Sequence, residues 1–158
     1  MSKIYVDEIA GIASADTVAI PGHVIQVVQG TTTQATSSSS TFVDTGLSAT
    51  ITPTSVNSKI LVTVAHPGTG VDATVGAGDR VFLQLVRGST KIQEITNLAA
   101  YNNTTQRATE TVTNLYLDSP ATTSATTYKT QFRSNSSETI RISWNDGQST
   151  ITLMEIAG

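Results

Sequence analysis

The feature that most constrains this chain is its density of β-branched and hydroxyl side chains. Of 158 residues, 28 are threonine and 17 serine, and valine and isoleucine together add 27 more. Threonine, valine and isoleucine carry two heavy atoms on Cβ, which stiffens χ1 and suits a pleated surface better than a helical turn. Such a chain is expected to be all-β and not a helical bundle. The hydroxyls also displace charge: Asp, Glu, Lys and Arg make up 13% of the chain, about half the usual share. Its high β-branched content and low charge run against the signature of disorder.

Several function classes are excluded on composition. There is no cysteine, hence no disulfide framework, thiol nucleophile or Cys-type zinc site. With only nine Lys plus Arg and a net charge of -3, no basic stripe exists for a nucleic-acid backbone. No apolar run has the length to span a membrane. The start, MSKIYVDEIAG, has Asp7 and Glu8 soon after Lys3 and no apolar stretch, so it is not expected to be a signal peptide.

Residues 1–22 read as an arm. Ile4, Val6 and Ile9 alternate with polar residues, a small polar stretch follows, and Pro21-Gly22 punctuates the end. The arm has too few apolar groups to fold alone. Residues 23–158 read as one β domain. The expected strands begin at His23–Gln29, followed by a Thr/Ser surface loop to Ser40, then Thr41–Thr45 and Leu47–Ile51 around Gly46. A turn at Pro53–Ser58 precedes Lys59–His66, whose nearly continuous apolar run suggests cover on both faces. Pro67–Asp79 reads as a glycine-rich loop. Arg80–Arg87 and Lys91–Thr96 form a hairpin through Gly88-Ser89. A second polar loop, Asn97–Arg107, carries Tyr101 and leads to Thr111–Leu117 and Thr126–Arg133. Thr139–Asn145 places Ile140, Ile142 and Trp144 on one face, and Asp146-Gly147 suggests a hairpin into Ser149–Ile156. About eight strands at this spacing predict an antiparallel two-sheet sandwich, jelly-roll-like, burying Trp144, Phe82 and Phe132 between its sheets.

The residues that carry chemistry form no recognised catalytic pattern. Gly68-Thr-Gly70-Val-Asp-Ala73 fits a loose dinucleotide motif, but the following Thr74–Asp79 is a poor helix former, so a plain surface loop is expected. His23 and His66 are the two histidines, too few for a closed metal site, and Asp72 or Asp79 is not required by spacing to join them. No G-x-S-x-G is present. The adjacent Asp7 and Glu8 would point to opposite faces of a strand, which does not suit a glycosidase pair. Arg80 and Arg87 read as solvated strand-end charges, although a pair with a carboxylate of a neighbouring subunit is the alternative. Of Tyr101, Tyr116 and Tyr128, two are expected in core or interface, with Tyr101 in a loop. The expectation is a non-enzyme without cofactor or metal.

The phrases SKIYVDEIAG, PGHVIQVVQGTTT, TFVDTGLSATITPTSVNSKILV, LVRGST, YLDSPATTSATTYKTQF and STITLMEIAG resemble virion structural proteins of tailed bacteriophages. The group is often labelled tail-fibre-like and is frequent in marine and cyanobacterial phages. The resemblance runs along nearly the whole chain. It implies a virion protein assembled in the host cytoplasm, a homotrimer, in contact with capsid or tail proteins. It brings no catalytic or ligand residues. The absence of a long shaft favours capsid decoration or cement, with Ile4, Tyr5, Val6 and Ile9 of the arm on the lattice. A tail fibre or fibre tip is the alternative, with the loops at 30–40, 67–79 and 97–107 facing the host. A carbohydrate-binding module is the further alternative, with Tyr101 against a host surface glycan. Asn102, Asn103 and Asn135 match N-x-[ST] but are discounted for a phage protein.

Overall fold

The computed structural model describes residues 22–71, 79–100, 109–135 and 137–158. Among these, every regular element is a strand: β1 (Val24–Thr32), β2 (Ala35–Ser37), β3 (Val43–Ile51), β4 (Lys59–Val71), β5 (Asp79–Arg87), β6 (Thr90–Ala100), β7 (Thr109–Asp118), β8 (Thr126–Ser134), β9 (Ile140–Ile142) and β10 (Ser149–Ile156). The period-two pattern sets which side each residue faces. In β3, Thr45, Leu47, Ala49 and Ile51 are buried while Ser48 and Thr50 are exposed.

Two antiparallel sheets result. One is ordered β3-β8-β5-β6. In the other, β10 pairs with β4 through Thr150–Ile156, and β9 takes over further along, with Arg141 opposite Gly70 and Ile140 opposite Val71. Gly70 also pairs with Thr109 of β7, so β9 and β10 share the edge of β4 that β7 does not occupy. They are two pieces of one broken strand. β1 and β2 form a second broken strand, pairing with β10 and β9 respectively. The ten segments therefore make eight strand lines. Numbered along the chain, the lines lie in the orders 1-8-3-6 and 2-7-4-5, which is jelly-roll winding. Only β5 and β6 are neighbours in both chain and sheet, joined through Gly88-Ser89 as expected.

The structure corrects several expectations. The turn at residues 144–147 exists, with Gly147 N–H donating to the Trp144 carbonyl at 3.2 Å and positive φ at Asn145 (53°) and Asp146 (60°). It does not make a hairpin. The chain leaves the edge of β4 at Ser143, whose own φ is 55°, and rejoins the same edge at Ser149. Ser143 N–H donates to the Pro67 carbonyl at 2.8 Å, which holds the excursion to a bulge in β4. The left-handed Ser143 breaks the alternation, so Trp144 is half-buried at the surface and not between the sheets. Phe82 is also outside the core: it faces outward beneath the Arg133 guanidinium, 3.8 Å from the ring centroid. Part of the expected Thr/Ser loop is strand, since β1 reaches Thr32 and β2 pairs with β9. Part of the expected glycine-rich loop is strand too, because β4 continues to Val71 and buries Thr69 and Gly70. The arm residues Ile4, Tyr5, Val6 and Ile9 lie outside the described residues, and so does Tyr101.

The core divides into two apolar clusters. One gathers Leu47, Ile51, Ile60, Val62, Val64, Leu85, Tyr128, Ile151 and Leu153. The other gathers Val71, Val81, Leu83, Val112, Phe132, Ile140 and Ile142. Gly30 lets the two sheets approach each other: a Cβ there would overlap the Ser48 carbonyl oxygen of β3.

Candidate functional site

A polar layer separates the two clusters. On β4, His66 lies between Val64 and Val71. On β8, Thr130 lies between Tyr128 and Phe132. On β3, Thr45 precedes Leu47, and on β10, Ser149 precedes Ile151. These four side chains meet. The His66 Nδ1 is 2.7 Å from Ser149 Oγ and its Nε2 is 3.1 Å from Thr130 Oγ1. Thr130 Oγ1 lies 2.6 Å from Thr45 Oγ1, and Ser149 Oγ lies 2.5 Å from Ser143 Oγ. With the ring proton on Nε2, each hydroxyl donates once: Ser143 to Ser149, Ser149 to Nδ1, Thr130 to Thr45, and Thr45 to the Thr130 carbonyl at 3.1 Å. The chain thus bridges both sheets with its polar groups satisfied. Burial alone lowers the His66 pKa to about 4. The ring is therefore neutral at pH 7, and a neutral ring is what the network requires. A serine beside a histidine invites comparison with a nucleophile and its base. Here His66, Ser143 and Ser149 are all fully buried, and every hydrogen bond is spent within the fold.

Two further polar ties lie toward the other end of the sandwich. Asp118 Oδ2 of β7 accepts from the Arg87 Nη1 at 2.7 Å and from the Tyr128 hydroxyl at 2.6 Å. The carboxylate of one sheet thus binds two donors from the other. Burial pulls the Arg87 guanidinium down, but the Asp118 hydrogen bond and charge outweigh it and raise the pKa. Burial, reinforced by Asp118, pushes the Tyr128 phenol far above its ordinary value. Arg87 is therefore paired within its own chain and is not a solvated strand-end charge. Glu155, fully buried on β10, accepts from Gln26 Nε2 at 2.6 Å and from the Thr54 N–H and hydroxyl, each at 2.7 Å. Burial pushes its carboxyl up, but the neighbouring Ser58 hydroxyl, Gln26 and Thr54 outweigh that and hold it below the usual range.

The two outer faces differ sharply. On the β3-β8-β5-β6 sheet, the outward residues include Asp44, Lys129, Arg133, Glu94 and Lys91. Lys129 Nζ lies 2.8 Å from Asp44 Oδ2, and Gln131 Nε2 donates to Asp44 Oδ1 at 2.7 Å. On the other sheet the ladders align three outward rows: Val27, Met154, Leu61, Leu117; then Gln29, Thr152, Thr63, Leu115; then Thr31, Thr150, Ala65, Thr113. None of these residues is charged. Val27, Leu115 and Leu117 are 56%, 63% and 51% exposed.

The two histidines, not expected to form a metal site, are far apart. His23 stands beside Ala157 at the start of β1, whereas His66 bonds Ser149, which pairs with Thr32 at the far end of that strand. That is about 30 Å of strand. No cluster of three or more metal-ligating side chains occurs among the described residues. Tyr128 is core and Tyr116 packs against it, as expected. Sequence reasoning missed the polar layer. Its signal was one polar residue breaking each inward apolar row, but nothing local shows that the four interruptions share a level. It also missed a cleft of about 340 Å³ lined by Gly68, Thr109, Trp144 and Asn145. The Arg141 guanidinium lies 4.9 Å from the Trp144 ring centroid there.

The fold defines a jelly-roll β-sandwich. No family model and no curated protein matches the chain. Among solved structures, dimeric latent PorU from Porphyromonas gingivalis is similar over 89% of this chain and 14% of that one, at 6% identity and a TM-score of 0.33. At that level the likeness carries no argument about this chain.

Proposed function

We propose that this chain is a non-enzymatic structural protein of a tailed-phage virion, displayed on the particle surface and associated with further copies of itself. The observation that carries this reading is the contrast between interior and exterior. The reactive side chains His66, Ser149, Asp118 and Glu155 are committed to holding the fold, while the outer face of one sheet offers three adjoining rows of apolar and uncharged polar residues for assembly, with Lys59 one row beyond Leu61. The phage-like phrases along the chain support the same reading. The favoured place is the capsid, as a decoration or cement protein docked through residues 1–22; a tail fibre or fibre tip is the alternative. Purified particles, analysed by mass spectrometry and by cryo-electron microscopy, test it. The expected result is the protein in the particle, with jelly-roll density on the head. Absence from washed particles overturns the reading, and density on the tail selects the fibre.

The Trp144 cleft favours a second reading, a carbohydrate-binding module, because an indole in a polar-lined cleft can stack on a sugar ring. Trp144 is the chain's one tryptophan, so its fluorescence reports the cleft directly. Saturable shifts with host-surface glycans, lost on Asn145→Ala, would support this reading; a flat titration would remove it.

A further inference from the structure

We infer that Arg133, held between the rings of Phe42 and Phe82 with Arg80 beside it, binds an oxyanion, the carboxylate or phosphate group of a ligand, on the outer face of the β3-β8-β5-β6 sheet. The inference goes beyond the reading above and holds wherever in a particle the chain sits.

Ladder register builds the cluster. Strand β8 buries Thr130, Phe132 and Ser134, so Gln131 and Arg133 point outward. Arg133 pairs with Phe82 of β5, and Val43, the residue after Phe42, pairs with Phe132. The Arg133 guanidinium carbon lies 3.8 Å from the Phe82 ring centroid and 5.2 Å from that of Phe42. Arg80 shares the outward side of β5 with Phe82, and its backbone N–H donates to Asn135 Oδ1 at 2.5 Å. Arg80 is therefore a diagonal neighbour of Arg133 across the ladder, about 7–8 Å away.

The cations of this sheet differ in how they are paired. Lys129 lies 2.8 Å from Asp44, Lys91 lies 3.8 Å from Glu94, and Arg87 lies 2.7 Å from Asp118. Among the described residues, no carboxylate lies within ion-pair distance of Arg133 or Arg80. The hydrogen bond that Arg133 makes is a long one, from Nη1 to the Ser134 carbonyl at 3.5 Å. Asp44, in the next outward row, is already held by Lys129 and Gln131.

The chemistry of the cluster selects its ligand. A guanidinium carries its N–H donors in its own plane and has no acceptor. Contact with aromatic rings engages its faces and leaves the donor edge unspent. That edge is a fork that matches two oxygens of a carboxylate or a phosphate. An unrestrained arginine must give up rotamer freedom to bind, whereas the rings have already fixed this one. Arg80 adds a second positive charge that repels Arg133, and an anion between the two relieves the repulsion. A neutral sugar gains none of this, and the guanidinium covers the Phe82 face on which it would stack.

The test is a nuclear magnetic resonance titration of the ¹⁵N-labelled full chain with sodium phosphate and, separately, with sodium glucuronate, chloride keeping the ionic strength constant. Binding is read at the Arg80 and Arg133 Nε–H and at the Phe82 backbone amide, with Arg87 as the paired control. The expected result is saturation in the millimolar range with at least one of the two anions, with no matching shift at Arg87. Saturation by phosphate alone assigns a phosphate group, by glucuronate alone a carboxylate, and by both a site for either. Arg133→Lys keeps the charge and removes the fork, so it should weaken binding about tenfold or more, read at Arg80 and Phe82. Arg80→Gln, at an exposed position, should weaken it about threefold or more and leave the β-type circular dichroism in place. Shifts that rise linearly with both anions, or that appear equally at Arg87, show an adventitious ion only and overturn the inference. Undiminished binding by both Arg133→Lys and Arg80→Gln overturns it as well.

Discussion

At the residue scale, the polar layer shows how a core can hold hydroxyls and an imidazole without an unsatisfied group. Thr130 is the hub, since it receives His66 and donates to Thr45. Thr130→Val keeps the shape but leaves the His66 Nε2–H without an acceptor. The expected loss is about 1–3 kcal/mol, measured by urea unfolding at pH 7. The same layer carries a pH dependence. The His66 pKa is depressed in the fold to about 4 from 6.5, so between these values the unfolded chain binds more protons. Its contribution is full above pH 6.5, declines as the pH falls toward 4, and amounts to about 3 kcal/mol over that window. His66→Gln should flatten the pH–stability curve between pH 6.5 and 4. Glu155 and Asp44, both held below the carboxylate range, act lower, and their stabilisation is lost as the pH falls through their folded pKa values. A variant that keeps the full slope between pH 6.5 and 4 would show that His66 is not its source.

At the element scale, the broken strands explain where local reading fails. Asn145 and Asp146 make the tight turn that their left-handed tolerance favours, yet the chain returns to the edge it left. A turn reverses direction locally, but which neighbour the next strand meets depends on the Pro67–Gly68 bulge in β4. Gly68 (φ 57°) lies so close to Trp144 that a Cβ would sit 2.8 Å from the Trp144 nitrogen. β1 is positioned by a similar close approach at Gly30. Gly30→Ala forces a methyl into the Ser48 carbonyl and must push β1 away from β3. The expected cost is about 2–3 kcal/mol, read as a lower urea midpoint with an unchanged slope. A neutral Gly30→Ala would mean that the two sheets pack less tightly there than the geometry implies.

At the scale of the whole molecule, the winding sets both the folding rate and the surface. Six of the eight strand lines have no chain neighbour beside them, the exceptions being the β5–β6 hairpin pair, so nearly every ladder closes a long loop. Refolding is expected in the millisecond-to-second range; a microsecond phase accounting for the full amplitude would contradict this. The same winding lays Val27 and Leu117, far apart in the chain, in one row across the outer face.

Local physics was legible in the residues. β-branched side chains and period-two alternation mark strands such as Ser149–Ile156, together with the all-β class and the number of strand lines, because each depends on a few adjacent positions. The long-range arrangement was not legible. That His66 meets Ser149 and Thr130, and that Val27, Met154, Leu61 and Leu117 align in one outward row, follow from ladder register. Register joins residues separated by scores of positions, and no stretch of sequence records which partner a strand edge will take.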